Sequence, residues 1–304
     1  MESFSHKAKM QICTKNENKD CCETAELLGL ICFAGIVVEL PNRENLGLKI
    51  ILETEEVAER ICLHLGKLCN ISPEVVLKNN QATLRLKDES SVERLKEKLF
   101  LCEEDGVFYF RIDKRLVQSE CCKKALIRGA FLGGGSIINP KKSYHLEFAT
   151  RSYECAERLI EIVSHFGITP KLTTRKNEVL VYLKGSEEIA DLMALIGANT
   201  AFMELYNTMI EKDMRNTINR QVNCENANMT KTANAAAKQM IAIDKISKLK
   251  GLDYLEDPLR EIAILRMDYP EANLKELGEM LSTPIGKSGA NHRLNKILEI
   301  AESI

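Results

Sequence analysis

Cys21-Cys22-Glu23-Thr24-Ala25-Glu26-Leu27-Leu28-Gly29-Leu30-Ile31-Cys32-Phe33-Ala34-Gly35 is answered, 100 residues later, by Cys121-Cys122-Lys123-Lys124-Ala125-Leu126-Ile127-Arg128-Gly129-Ala130-Phe131-Leu132-Gly133-Gly134-Gly135. Both cysteines, the alanine, the middle glycine and the last glycine match without a gap. The register then continues with small slips. Ala58-Glu59-Arg60-Ile61 pairs with Ala156-Glu157-Arg158-Leu159, Pro73 with Pro170, and Leu86-Lys87 with Leu183-Lys184. Self-similarity over this distance marks a duplicated structural unit, with copies at about 20–105 and 120–200.

Each copy reads alike. A helix of small and apolar residues (about 21–34 and 120–134) closes on a glycine, which is expected to take the left-handed conformation that ends a last turn. A strand pair follows, with Gly47–Leu52 and Tyr144–Ala149 as the clearer members. Amphipathic helices come next, at about 54–68 and 152–166. A second strand pair includes 81–86 and 178–183, and helices at about 90–101 and 186–196 close each unit. The order α-β-β-α-β-β-α, given twice, predicts an α+β domain of antiparallel hairpins backed by helices. Gly29 and Gly129 have no side chain to hold helix backbones apart, so the two first helices are expected to pack there, with Gly35 and Gly135 at their ends. The strands of both copies then form one saddle-shaped surface.

The 304 residues suffice for about two domains at roughly 150 residues each. The chain has 45% hydrophobic and 28% charged residues and no apolar run near the ~18 residues of a membrane span. The stretch from Met1 to Lys7 has no signal-peptide core. These features predict a cytoplasmic protein without membrane partners. With 42 Lys+Arg against 44 Asp+Glu the formal net charge is −2, so any nucleic-acid contact must come from a local basic face. Eleven cysteines occur without a Cys-x-x-Cys motif, beside five histidines. The adjacent pairs Cys21-Cys22 and Cys121-Cys122 suit neither a disulfide within the pair nor two ligands of one zinc. Reduced, mostly buried thiols are expected, with no structural metal and no cofactor.

After about residue 204 the composition changes. Tyr206–Lys250 holds eight basic and four acidic residues, a local balance of +4. Residues 205–255 read as a basic helical linker, broken by the polar run 223–229 and resumed after a cap at Thr230. Arg215, Arg220, Asn223, Asn226 and Lys231 are its candidate phosphate contacts. Residues 256–304 then read as three short helices. The first starts at Asp257-Pro258, and the second is capped by Asn273 ahead of Leu274, Leu277, Gly278 and Leu281. A turn over 282–286 precedes a third helix, capped by Ser288, whose Ala290, Leu294, Ile297, Leu298 and Ala301 recur at helical spacing. That is the helix-turn-helix pattern. From Lys287 to Lys296 the third helix contains no acid. Asn291, Asn295, His292 and Arg293 suit base edges, and Lys275, Lys287, Ser288 and Lys296 suit phosphates. His292, Arg293 and Lys296 are placed opposite the apolar stripe.

The two glycine helices resemble decayed LAGLIDADG motifs. In homing endonucleases with two such motifs the paired helices join the halves, the sheets saddle the DNA, and the eighth motif residue is an acid that holds the catalytic metal. Ala34 and Gly134 stand at those positions, and a hard cation needs carboxylate oxygens. Glu39 has Asn139 as its counterpart and restores no symmetric pair, so no catalytic residue is expected. Arg128–Ser136, Asn223-Cys224-Glu225, Leu274–Gly278 and Lys287–Leu294 further resemble the WhiA family, which joins a degenerate LAGLIDADG domain (1–204 here) to a carboxyl-terminal helix-turn-helix. The resemblance implies a non-enzymatic regulator that binds double-stranded promoter DNA at the nucleoid. It also implies links to sporulation, cell division and chromosome segregation, with another regulator or RNA polymerase as a partner. Two other readings remain open: a divergent metal-dependent DNA endonuclease, and a protein-interaction scaffold with weak DNA binding.

Overall fold

The computed structural model describes residues 3–15, 19–39, 46–78, 81–104 and 107–304, which divide into two compact units, Met1–Lys212 and Asp213–Ile304. A helix that the sequence pattern left unmarked, α1 (Phe4–Cys13), comes first, with Phe4, Ala8 and Ile12 buried. The first repeat is α2 (Asp20–Ala34), β1 (Gly35–Glu39), β2 (Leu46–Leu52), α3 (Glu55–Cys69), β3 (Glu74–Lys78), β4 (Gln81–Leu86) and α4 (Glu89–Leu99). A short hairpin, β5 (Cys102–Glu104) and β6 (Val107–Tyr109), also absent from the expectation, precedes the second repeat. That repeat is α5 (Glu120–Gly134), β7 (Gly135–Ile137), β8 (Leu146–Thr150), α6 (Tyr153–Ser164), β9 (Lys171–Arg175), β10 (Glu178–Leu183) and α7 (Ser186–Ile196).

Each repeat builds one four-stranded antiparallel sheet, ordered β1-β2-β4-β3 and β7-β8-β10-β9. The duplicated α+β architecture is therefore present in full. Alternation sets the faces: in β4 Ala82, Leu84 and Leu86 are buried while Gln81 and Arg85 are exposed, as a half-buried strand requires. Side-chain caps start the helices. Thr54, Asp88, Ser119 and Ser152 each accept the backbone N–H three residues on, satisfying one of the first-turn donors.

The helices α2 and α5 pack backbone to backbone. A Cβ added to Gly29 would fall on the Leu126 carbonyl oxygen, one on Gly129 would fall on that of Glu26, and one on Gly133 would lie 2.7 Å from that of Leu30. The glycines at the helix ends differ from expectation. Gly35 (φ −74°) and Gly135 (φ −81°) are extended, not left-handed, so each helix runs straight into its strand. Glycine is required there by crowding: a Cβ would lie 2.5 Å from the Ile31 carbonyl at Gly35 and 2.6 Å from that of Phe131 at Gly135.

The linker expectation is also corrected. Instead of a break at 223–229, α8 runs unbroken from Asn199 to Lys250. That span contains no glycine or proline, and its polar residues bond within their own turns. Thr217, Thr230 and Thr232 donate to the carbonyls of Asp213, Asn226 and Asn228 at 2.9 Å, so Thr230 back-bonds inside a helix and caps none. Near its end Ala242, Ile243 and Ile246 enter the core of the second unit. Gly251 (φ +77°) ends the helix.

Candidate nucleic-acid interface

The second unit continues with α9 (Asp257–Asp268), α10 (Leu274–Glu279) and α11 (Lys287–Ser303) around Leu259, Ile262, Leu277, Leu294 and Ile297. Pro258 occupies the first turn of α9, where its missing N–H costs nothing. The expected Asn273 cap is present. Its Oδ1 accepts from the N–H groups of Lys275 (2.9 Å) and Glu276 (3.1 Å), and Glu276 Oε2 accepts the Asn273 N–H at 2.8 Å, completing a capping box. Arg266, buried, donates to the carbonyls of Pro270 (3.2 Å) and Ala272 (2.7 Å) and so holds the α9–α10 connection. The second connection folds back on α10: the Ile285 N–H donates to the Gly278 carbonyl at 3.0 Å. A Cβ on Gly278 would strike the Ile285 carbonyl oxygen, so this tight turn needs a glycine there.

In α11, Ala290, Leu294, Ile297 and Ala301 are buried, and Ser288, Asn291, His292 and Asn295 point outward. Lys287, Lys296 and, on α10, Lys275 are exposed around them. Two expectations are corrected. Ser288 is no cap, since α11 begins at Lys287 after Gly286 with no side-chain cap bond; its hydroxyl is left on the exposed first turn. Arg293 is not opposite the stripe. At 100° per residue it falls on the flank, where it is half-buried and donates to the Pro258 carbonyl at 3.4 Å. Lys296 lies 3.8 Å from Glu256 and Lys275 lies 3.7 Å from Glu279, both loose surface pairs that displace readily. Arg215, Arg220, Asn223, Asn226 and Lys231 are all exposed on α8.

At the carboxyl ends of α2 and α5, in the first unit, a cleft of about 390 Å³ is bordered by Ala34, Gly134, Glu147, Arg151 and Glu178. A Cβ on Gly134 would strike the carbonyl oxygen of Ala149 in β8, so the strand occupies the space an acid would need. Glu147 is held by the Ser136 hydroxyl (3.4 Å) and by His145 Nε2 (3.1 Å). Asn139, exposed, accepts the Lys141 N–H; the Glu39 side chain lies outside the described residues.

The family model of the WhiA LAGLIDADG-like domain matches residues 24–99 and 123–215, and that of the WhiA C-terminal HTH domain matches residues 218–301. The chain belongs to the WhiA family. Relatives named "Probable cell division protein WhiA" include that of Clostridium perfringens, 43% identical, and that of Clostridium tetani, 40% identical; each alignment covers 99% of this chain and 98% of the relative. The crystal structure of full-length WhiA from Thermotoga maritima matches with a TM-score of 0.59 at 25% identity, covering 100% of this chain and 99% of that one. A separately solved N-terminal LAGLIDADG domain of WhiA shares the fold (TM-score 0.50, 19% identity, 65% of this chain and 94% of that one). A WhiA helix-turn-helix at the carboxyl end makes DNA the ligand class of this unit. No helix among the described residues is long and apolar enough to cross a membrane.

The family pattern leaves one feature unused. Among the described residues Cys22, Cys32, Cys69, Cys122 and Cys155 are buried, but Cys21, Cys121 and Cys224 are exposed and Cys13 and Cys62 half-buried, so the expectation of mostly buried thiols is only half met. The expectation that adjacent cysteines cannot share one zinc treats each pair alone and is corrected by the fold, in which the thiols of Cys21 and Cys22, and those of Cys121 and Cys122, lie within 4.8 Å of each other. The α2–α5 packing brings the four thiols together.

Proposed function

We propose that this WhiA-family chain is a non-catalytic, sequence-specific DNA-binding protein, a bacterial transcription regulator acting in the cytoplasm at the nucleoid. The observation that carries this reading is the outward face of α11, where Ser288, Asn291, His292 and Asn295 stand clear of the core between exposed lysines. In the major groove the two asparagines pair with adenine edges, while Lys275, Lys287, Ser288 and Lys296 hold phosphates. Arg293 fixes α11 against the start of α9 and reaches a base only by leaving the Pro258 carbonyl. Arg215, Arg220, Asn223, Asn226 and Lys231 on α8 add backbone contacts. The domain division at 1–204, 205–255 and 256–304 assigns these roles to scaffold, connector and reader.

The non-enzymatic half of the reading rests on Ala34, which carries no ligand atom, and on Gly134, whose side-chain space is taken by the Ala149 carbonyl. The names of the relatives favour a role in cell division. Sporulation, chromosome segregation and a protein partner such as RNA polymerase or a second regulator extend the same reading. Selection of duplexes from a random pool by the full chain tests it, with the eluted DNA also checked for breaks after incubation in Mg²⁺ or Mn²⁺. A recurring motif on intact DNA is the expected result. Enrichment without a motif contradicts specific reading, and Mg²⁺-dependent breaks contradict the loss of catalysis.

A further inference from the structure

At the amino-terminal ends of α2 and α5, opposite the cleft that replaces the nuclease centre, the Sγ atoms of Cys21, Cys22, Cys121 and Cys122 all lie within 4.8 Å of one another. We propose that these four thiols form a tetrathiolate site for a single Zn²⁺ ion that ties the two halves of the first unit together. The duplication creates it. Each cysteine pair occupies the second and third positions of its helix, and the helices cross so closely that pairs 100 residues apart meet end to end. The contacts run between helices, Cys22 with Cys121 and Cys122 with Cys21, so the cluster belongs to neither half alone.

The dimensions suit one ion. A Zn–S distance of about 2.3 Å sets tetrahedral sulfur–sulfur edges of roughly 3.8 Å. Side-chain rotation of less than about an ångström per thiol closes the present cluster onto that geometry, whereas iron ions bridged by sulfide need ligands spread more widely. Four sulfurs, with no imidazole or carboxylate grouped with them among the described residues, select a soft, tetrahedral metal over Mg²⁺ or Ca²⁺. The charge of the bound thiolates is met by the positive ends of both helices and by Lys19 near Cys121. Cys22 and Cys122 are buried and form the floor, while Cys21 and Cys121 are exposed and leave a path for entry. The site is about 18 Å from Ala34, twelve residues further along α2 at 1.5 Å each, so it is no remnant of a nuclease metal site.

The test uses the full chain, purified under reductant without oxygen. Elemental analysis is expected to find one zinc per chain. Co²⁺ added to the metal-free protein is expected to give the sulfur-to-cobalt charge-transfer bands and the intense visible bands of a tetrahedral thiolate centre. Cys21→Ser combined with Cys121→Ser changes two exposed side chains, so the fold, checked by circular dichroism, is retained. This variant should lose the cobalt spectrum and no longer retain zinc through dialysis, since two of the four ligands are gone. Cys224→Ser, exposed on α8, should change neither. The proposal is overturned by fully reduced, metal-free protein that takes up no Co²⁺, or by an unchanged spectrum in the double variant. It is equally overturned if the purified chain holds iron with acid-labile sulfide, or if Cys22–Cys121 and Cys21–Cys122 are isolated as disulfides under reductant.

Discussion

Arg128 of α5 reaches across the seam between the two halves to Glu26 of α2, with Nε 2.7 Å from Oε2 and both side chains 2% exposed. Arg60 of α3 grips the same carboxylate through Nε (2.5 Å) and Nη2 (3.1 Å), and His64 Nε2 lies 3.3 Å away. The repeat is not symmetric here: the counterpart of Glu26 is Leu126, and that of Arg128 is Leu28. One buried charge network thus fixes which face of each glycine helix meets the other. Removing one partner strands an opposite charge away from water, so Arg128→Ala should lower unfolding free energy by about 3–5 kcal/mol, read by denaturant melts. A loss below about 1 kcal/mol would mean that water or Arg60 alone satisfies Glu26.

Glu26 also sets an acid limit. Burial by itself would push its carboxyl up, but hydrogen bonds from His64 and Arg60 and the charges of Arg128 and Arg60 hold it well below the usual carboxylate range. A depressed folded pKa contributes stability that is fully present above the unfolded value of about 4.3 and is lost as pH falls from there toward the folded value. Stability measured between pH 6 and pH 3, as round test points on either side of that value, should fall more steeply for wild type than for Glu26→Gln. Parallel curves would show that Glu26 does not titrate differently in the two states.

The glycine seam predicts opposite signs for one kind of change. Gly29→Ala and Gly129→Ala drive a methyl into a backbone carbonyl of the facing helix and should each cost about 1–3 kcal/mol or more. Gly66→Ala, exposed on α3 with the Ile71 carbonyl oxygen 4.0 Å from the new methyl, should gain about 0.5–1 kcal/mol. Thermal melts of the three variants make the comparison.

Restoring the acids should not restore a nuclease. In Ala34→Asp with Gly134→Asp the second aspartate meets the Ala149 carbonyl, so the variant should be destabilised by about 1–3 kcal/mol and leave supercoiled plasmid uncut with Mg²⁺. Plasmid cleavage would show that only two side chains separate this scaffold from catalysis.

The duplicated α+β order was legible because its signals are local: period-two alternation in 81–86 and 178–183, and small residues at fixed spacing in 21–35 and 121–135. Helix-turn-helix punctuation at Pro258, Asn273 and Gly278 was legible for the same reason. Where the reading failed, partners decided. Polar residues 223–229 look like a loop but stay helical in α8, where Asn228 donates to Cys224 Sγ and Glu225 accepts from Gln221 one turn away, and Arg293 looks outward until α9 supplies the Pro258 carbonyl. The Cys21–Cys122 cluster and the Glu26–Arg128 pair depend on how two distant helices cross. The repeat supplied a clue to the first alone: identical cysteine pairs on helices expected to pack face to face.

The central claim, that α11 reads DNA, is tested most directly by fluorescence anisotropy of the full chain on a selected duplex, titrated with salt. Asn291→Ala with Asn295→Ala should lower affinity for that duplex by about 1–3 kcal/mol per lost base contact while leaving the salt slope unchanged. Lys287→Ala with Lys296→Ala should weaken binding to all duplexes and flatten the log–log slope by about 0.9 per lost phosphate contact. If both double variants bind as wild type does, with the same slope and the same preference, α11 is not the reader.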